Sequence, residues 1–337
     1  MARVARRLIA IVAVAWAVSL VTFVVARVIP ADPAQMAAGL EAGPAQVQQL
    51  RVLMGLDKPI LVQYIRWLEG LLRGDLGTSL RTQRPVTRDL ADALPATIEL
   101  TIAAMCIALA TGIPMGALAA VRRGRFADAV VRFVAMSGVA FPVFWVALIA
   151  QLVFYRVLGW LPAGSRIGQD VLAPTNITGL YILDSILTLN GGALISALHH
   201  IVLPASILAF GRWATIVRMT RVSLLEVLNE DYIRTARAKG SGQKSILFHH
   251  ALRNALLPVI TMVGLQVGYL LSGAVLVEWV FSWPGVGDYA VRSIVTLDFN
   301  PIVAVAMVLS LVFVVINSLV DILYGILDPR VRVQPSQ

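Results

Sequence analysis

The sequence predicts an all-α, polytopic membrane protein with six transmembrane helices, and three observations lead there. Of its 337 residues, 58% are hydrophobic and only 14% charged, whereas a soluble domain carries about a quarter charged residues. The mean hydropathy of +0.80 points the same way. Finally, six apolar segments meet or approach the roughly 20 residues that a helix needs to cross a hydrocarbon core about 30 Å thick.

Those segments run near 8–29, 97–121, 133–155, 193–211, 255–277 and 301–320. Each is too long for a strand, and an open strand would leave its backbone groups unsatisfied in lipid. The first follows a basic start, Arg3, Arg6 and Arg7. Its run of about 22 residues exceeds the ~7–15 of a cleavable signal core, so 1–29 reads as an uncleaved first helix. Residues 30–95 read as an external cap of short helices. They hold Pro30, Pro33, Pro44 and Pro59 and the turn-rich Gly74-Asp75-Leu76-Gly77-Thr78-Ser79, while 45–54 and 60–73 show helical apolar spacing. A five-helix core over 96–328 follows, with a cytoplasmic loop at 218–254, and then a tail over 329–337.

Charge sets the orientation. Counted by alternate connections, 17 Lys and Arg fall on the side of the two termini and the 212–254 loop, against 11 on the other. Retention of cations on the inner face then makes both termini cytoplasmic in a bacterial inner membrane. The net charge of +9 also admits nucleic-acid binding. The basic residues sit between apolar runs and not on one polar domain, so membrane lipid is the expected partner and nucleic acid is not.

Several side chains have structural readings that outweigh functional ones. Gly112-Ile113-Pro114-Met115-Gly116 and the pair Gly264 and Gly268 place small residues four apart, which lets membrane helices approach closely. A hinge at Pro114 is the functional alternative. Cys106 reads as a small packing residue, and one cysteine excludes any disulfide framework. Glu99 and Asp321 sit at span edges, where a structural role or solvation explains them. The adjacent pair His199 and His200 is too small a ligand set for a metal. Trp279, Phe281 and Trp283 read as interfacial aromatic anchors, with contact to an external protein as the rival. No Ser-His-Asp arrangement or paired catalytic carboxylates assemble, and no cofactor is implied.

The most informative stretch runs from Arg218 to Gly240 and on to Arg253. Leu225, Leu228, Tyr232 and Ala236 share one helical face by their three- and four-residue steps. Arg234, Arg237 and Lys239 take polar positions. Gly240 suits a helix stop, because glycine accepts a left-handed conformation at low cost. Ser241 then caps a second short helix bearing Ile246, Leu247 and Ala251. Two amphipathic helices joined by a glycine turn can lie flat on lipid headgroups or insert into a groove on a soluble partner. Physics alone leaves that choice open, although Thr235 and Ala236 are small enough for close backbone approach. Gly240-Ser241-Gly242-Gln243-Lys244-Ser245 is not a phosphate loop: Gln243 replaces the needed glycine, and a helix precedes it where a strand should.

Here the sequence resembles the permeases of binding-protein-dependent ATP-binding-cassette importers, nearest the dipeptide, oligopeptide and nickel branch. Asp231 to Gly240 looks like that branch's form of the "EAA" loop, with Gly240 at the family's glycine and Arg234, Thr235 and Ala236 at its first three positions. The general pattern opens with Glu where this chain has Arg234, and closes with Leu-Pro where it has Leu252-Arg253, departures that the branch shares. Further similar stretches follow in order: Gly74 to Ser79, Pro85-Val86, Leu94-Pro95-Ala96-Thr97, Phe144-Trp145 and Leu158-Gly159-Trp160-Leu161-Pro162. Glu278 to Gly287 follows, and then Asp321 to Arg332, with Tyr324 and Asp328-Pro329-Arg330.

The resemblance implies the type I importer permease fold. It assigns Tyr232, Arg234, Thr235, Ala236, Arg237, Lys239 and Gly240 to a loop that docks into cytoplasmic ATP-binding subunits. It also implies a second permease subunit across a central pathway, an extracytoplasmic substrate-binding protein, and no catalysis in this chain. Peptides are the cargo that the branch implies, with nickel, glutathione and sugars as alternatives. A secondary transporter and a membrane-embedded enzyme are the rival readings. The pathway-lining residues do not emerge from periodicity, because most faces of these helices are apolar.

Overall fold

The structure, a computed structural model, describes residues 2–28, 33–39 and 42–327. Pro30, the Asp328-Pro329-Arg330 stretch and the tail over 329–337 lie outside the described residues. The helices, in order, are α1 (Ala2–Val28), α2 (Pro33–Ala38), α3 (Pro44–Leu53), α4 (Ile60–Leu72), α5 (Val86–Val121), α6 (Phe126–Ala140) and α7 (Val143–Ala150). The π-helical Gln151–Val157 extends α7. Then come α8 (Tyr181–Leu187), α9 (Gly191–Leu228), α10 (Asp231–Ala238) and α11 (Gln243–Ser245). The π-helical Ile246–Ala251 joins α11 to α12 (Leu252–Val280), and α13 (Val286–Val295) and α14 (Phe299–Leu327) complete the order. The fold is all-α.

Five of the six expected segments are helical throughout their described residues, and the third is helical except at Phe141 and Pro142. Val86–Val121, Gly191–Leu228, Gln243–Gly264 and Phe299–Ser318 are long and apolar enough to cross a membrane. α1, 27 residues long, contains the apolar stretch Val12–Val24. The third expected span is not one straight helix. α6 and the α7 segment bend by 107° at their junction. Phe141 there is extended (φ −98°, ψ 139°), because the residue before Pro142 is pushed out of the helical region. The fourth span also departs from expectation: it does not stop at residue 211. α9 runs on to Leu228, about 57 Å of helix, so Arg212, Arg218 and Arg221 belong to the helix and not to a loop.

The chain forms two compact units. One joins the residues up to Pro95 with Pro284–Val315; the other joins Ala96–Trp283 with the residues from Ile316 on. In the first unit, Val86, Leu90 and Ala93 of α5 pack with Val286, Tyr289 and Ala290 of α13 and with Ala304 and Val305 of α14. The turn before α5 is tied into this core by two acids. Asp298 accepts from Ser79 Oγ at 2.6 Å, and Asp89 accepts from Thr82 Oγ1 at 2.6 Å and from the Tyr289 hydroxyl at 3.0 Å. Burial, followed by the bond to Asp89, pushes the Tyr289 phenol well above its ordinary value.

In the second unit α9 is the central element, packed against α5, α6, α7, α8 and α12. The small residues on α5 serve this packing. A Cβ on Gly112 would come within 2.9 Å of Ile216, and one on Gly116 within 2.7 Å of Thr220 and of the Val217 carbonyl. Gly264 likewise abuts Val320. Glu99 is fully engaged: its carboxylate takes Arg166 Nη2 at 2.6 Å and the Ile182 amide at 2.7 Å, and the Glu99 and Arg166 side chains are both 6% exposed. Arg166 also donates to the Gly179 carbonyl at 2.9 Å and lies 3.8 Å above the Tyr181 ring. Arg221 grips Asp128 with two bonds of 2.8 and 2.9 Å, fastening the start of α6 to α9.

Two sequence readings change here. Phe281 and Trp283 are buried and not interfacial; the Trp283 indole donates to the Ala96 carbonyl at 2.9 Å, and of that trio only Trp279 is exposed. Cys106 is exposed and not packed. His199 and His200 lie well inside α9, bonded to the Trp160 and Ser196 carbonyls.

Asp184 on α8 holds the preceding loop. Burial pushes its carboxyl up, but the Thr178 hydroxyl and the amides of Ile177, Thr178 and Gly179 outweigh burial and hold it below its ordinary value. A depressed folded value means that this stabilisation is complete above the unfolded carboxylate value of about 3.9 and is lost as pH falls through the lower folded value. Amide exchange at residues 177–179 should therefore quicken only in strong acid, while Asp184→Asn should show quick exchange at neutral pH. Slow neutral exchange in Asp184→Asn would mean that the carboxylate does not hold the loop.

Candidate functional site

The chain breaks at Asn229 and Glu230 after α9, and α10 starts at Asp231. The break resets the helical phase. Ile233, not Tyr232, points inward: it is fully buried among Ala120, Leu224, Ile246, Ala251 and Ala255, with Leu225, Leu228 and Ala236 packed around them. Tyr232 faces outward at 41% exposure, where its hydroxyl accepts from Asn254 Nδ2 at 2.8 Å. The expected common face of Leu225, Leu228, Tyr232 and Ala236 therefore keeps three members and exchanges Tyr232 for Ile233. The missed signal was the turn-forming Asn229, which ends the periodicity that the sequence reading carried across it.

α10 ends in a Schellman turn. The Gly240 amide donates to the Arg237 carbonyl at 3.0 Å and the Ser241 amide to the Ala236 carbonyl at 3.1 Å. Gly240 takes φ +81°, the left-handed conformation anticipated for it. A Cβ there would meet nothing within 4 Å, so a substitution is opposed by backbone strain and not by a clash. Ser241 is not a helix cap; Gly242 occupies that position without a side-chain bond. The second short helix does not stand alone either, because Gln243–Ala251 runs straight into α12.

The sequence-predicted residues lie together on this one turn-and-helix. Tyr232, Arg234, Thr235, Arg237, Lys239 and Gly240 are exposed, and Ala236 is half-buried against the chain itself. Arg234 pairs with Asp231 at 3.2 Å. Arg237 and Lys239 sit at the C-terminal end, where cations complement the helix dipole. Lys244, Phe248, His249 and His250 of the following segment are also exposed, Phe248 at 61%. The result is a short helix seated on its own chain by one isoleucine, presenting cations and an aromatic ring outward. Such an arrangement suits docking and offers no nucleophile with a base. Among the described residues no three His, Cys, Asp or Glu side chains gather to hold a metal ion.

A family model for the "binding-protein-dependent transport system inner membrane component" matches residues 112–333, and the model for the N-terminal membrane component of the same systems matches residues 1–101. The chain is 46% identical over 314 residues to the probable D,D-dipeptide transport system permease protein DdpB of Escherichia coli (strain K12), covering 93% of this chain and 92% of that relative. It is 43% identical over 328 residues to the dipeptide transport system permease protein DppB of Alkalihalophilus pseudofirmus, covering 97% and 98%. With the di/tripeptide transport system permease protein DppB of Pseudomonas aeruginosa the identity is 40% over 333 residues, 98% of each chain.

Proposed function

The chain belongs to the family of binding-protein-dependent transport system inner membrane components, and from that premise we propose that it is the permease subunit of an ATP-driven importer of dipeptides and short oligopeptides. It is a polytopic membrane permease, not an enzyme. Six spans with both termini cytoplasmic are the topology that the cation distribution supports. A second permease subunit completes the pathway, an extracytoplasmic binding protein delivers cargo, and separate ATP-binding subunits hydrolyse ATP. Peptide cargo is supported by the names of relatives that match nearly end to end.

The observation behind the coupling role is α10 itself, outward-facing except at Ile233 and Ala236. A helix docked in a cleft of an ATP-binding subunit moves as a rigid lever. ATP-driven closure of two such subunits draws the docked helices together and shifts the permease from inward-open to outward-open. The exposed cations Arg237 and Lys239 are the direct probes, because Ala236 turns inward and a change there would disturb the seat as well. Arg237→Glu with Lys239→Glu should reduce co-purification of the ATP-binding subunits on the order of tenfold, as loss of interfacial charge complementarity does, with membrane insertion intact. Unchanged co-purification would remove this face from the dock.

A further inference from the structure

Arg212 is a charge near the middle of the 38-residue α9. Its depth follows from its neighbour. Gln266 is the middle residue of the charge-free stretch 255–277, with about 17 Å of helix on either side. Arg212 Nη1 lies 3.5 Å from Gln266 Oε1, at the outer limit of hydrogen bonding. The guanidinium also lies 5.3 Å from the centre of the Tyr269 ring. Arg212 is half-buried, Gln266 buried, and Tyr269 51% exposed.

Among the described residues, this cation has no resident counter-ion. None of the ion pairs among the described residues includes it. No Asp or Glu occurs in residues 100–121, 129–157, 191–225 or 252–277, so α5, α6, α7, α9 and α12 supply no carboxylate at this level. A guanidinium open to hydrocarbon at mid-membrane is costly, so such residues face the bundle interior or a water-filled space. The Arg212–Tyr269 side therefore faces the pathway and not lipid. Contact with the ring face leaves most of the five N–H donors available, in the flat fork that fits a carboxylate.

We infer that Arg212, flanked by Gln266 and Tyr269, is a station in the translocation pathway for the carboxylate end of the cargo. This inference rests on the peptide-importer reading. Peptides of varied side chain share one terminal carboxylate, so a single cation that reads this group serves all of them.

The test uses the complete importer in proteoliposomes with its binding protein, ATP and labelled dialanine, in a Cys106→Ala background. Arg212→Cys should lower uptake on the order of tenfold, as loss of one partner of a desolvated charge pair does. Aminoethyl methanethiosulfonate, which puts a cation back on the thiol, should restore uptake in the assembled complex; the neutral methyl reagent should not. Arg212→Lys should keep intermediate uptake, because it retains the charge without the fork. Dialanine under turnover should slow modification of the thiol. Uptake by Arg212→Cys equal to that of the Cys106→Ala parent, or equal restoration by both reagents, would overturn the inference while leaving the importer reading intact. A thiol that never reacts in the complex would place Arg212 against the partner permease and overturn it too. Failure of the Cys106→Ala parent to take up dialanine would instead bring down the peptide-importer reading, and this inference with it.

Discussion

Vesicles carrying Gly240→Val should hydrolyse ATP yet accumulate dialanine at no more than about a tenth of the parent rate. The magnitude follows from the turn. Gly240 sits at φ +81°, where an L-residue is strained by roughly 1–2 kcal/mol and a β-branched one more, and about 1.4 kcal/mol is tenfold in an equilibrium. The strain is relieved by opening the Schellman turn, which frees the Arg237 and Ala236 carbonyls and lets α10 tilt about Ile233. A lever that tilts at its seat transmits less of the stroke. Because no atom lies within 4 Å of a Cβ at this position, size alone is not the obstacle. Gly240→Asn, which tolerates the left-handed region, should keep most of the uptake, and Gly240→Ala should fall between. ATPase rate and uptake measured in the same vesicles decide the matter; parent-level uptake by the valine variant would remove the turn from coupling.

Glu99→Ala should be the most destabilising single change in the second unit, by about 3–5 kcal/mol, the usual result of stripping one partner from a buried ion pair. Arg166 would be left 6% exposed with its charge unbalanced, and the Ile182 amide would lose its acceptor. Glu99→Leu combined with Arg166→Met should recover much of this loss, because a buried pair gives little net stabilisation over a well-packed apolar one. Recovery should be incomplete, since Ile182 still lacks its acceptor. Thermal unfolding of the solubilised complex reads both. Equal midpoints for the parent and Glu99→Ala would show that the pair is solvated and not buried.

Part of this molecule is legible from residue order. Long apolar runs specify helices because only intrasegment hydrogen bonding satisfies a backbone in lipid, and all six runs are helical where described except at the Phe141-Pro142 break in the third. Gly240 was readable as a left-handed stop, since φ > 0 after a short amphipathic helix is a local property. The Ala236 and Arg237 carbonyls, which accept from the Ser241 and Gly240 amides in that turn, follow from the same local geometry. The outer face of α10 was also readable as a surface, because Arg234, Arg237 and Lys239 interrupt an otherwise apolar chain.

Local reading failed wherever a distant residue or a change of phase decided the outcome. Asn229 breaks α9 from α10, so Ile233 and not Tyr232 fills the seat. Phe141 is driven extended by Pro142, but how far the two halves diverge depends on packing against α9. Glu99 finds Arg166 at a separation of 67 residues, and no periodicity announces such a partner. Trp283 is aromatic and follows a span, as an interfacial anchor would; the Ala96 carbonyl places it in the core. Arg212 looks like the first cation of a loop until Gln266 fixes its depth. By itself, then, the sequence determined which segments are helices and where α10 stops, because these follow from local hydrogen bonding and hydropathy, and its ordered motifs carried the family resemblance. Only the tertiary structure decided which side of each helix is buried, which charges are paired and which cation meets the middle of a neighbouring apolar helix, because each depends on what another helix brings alongside.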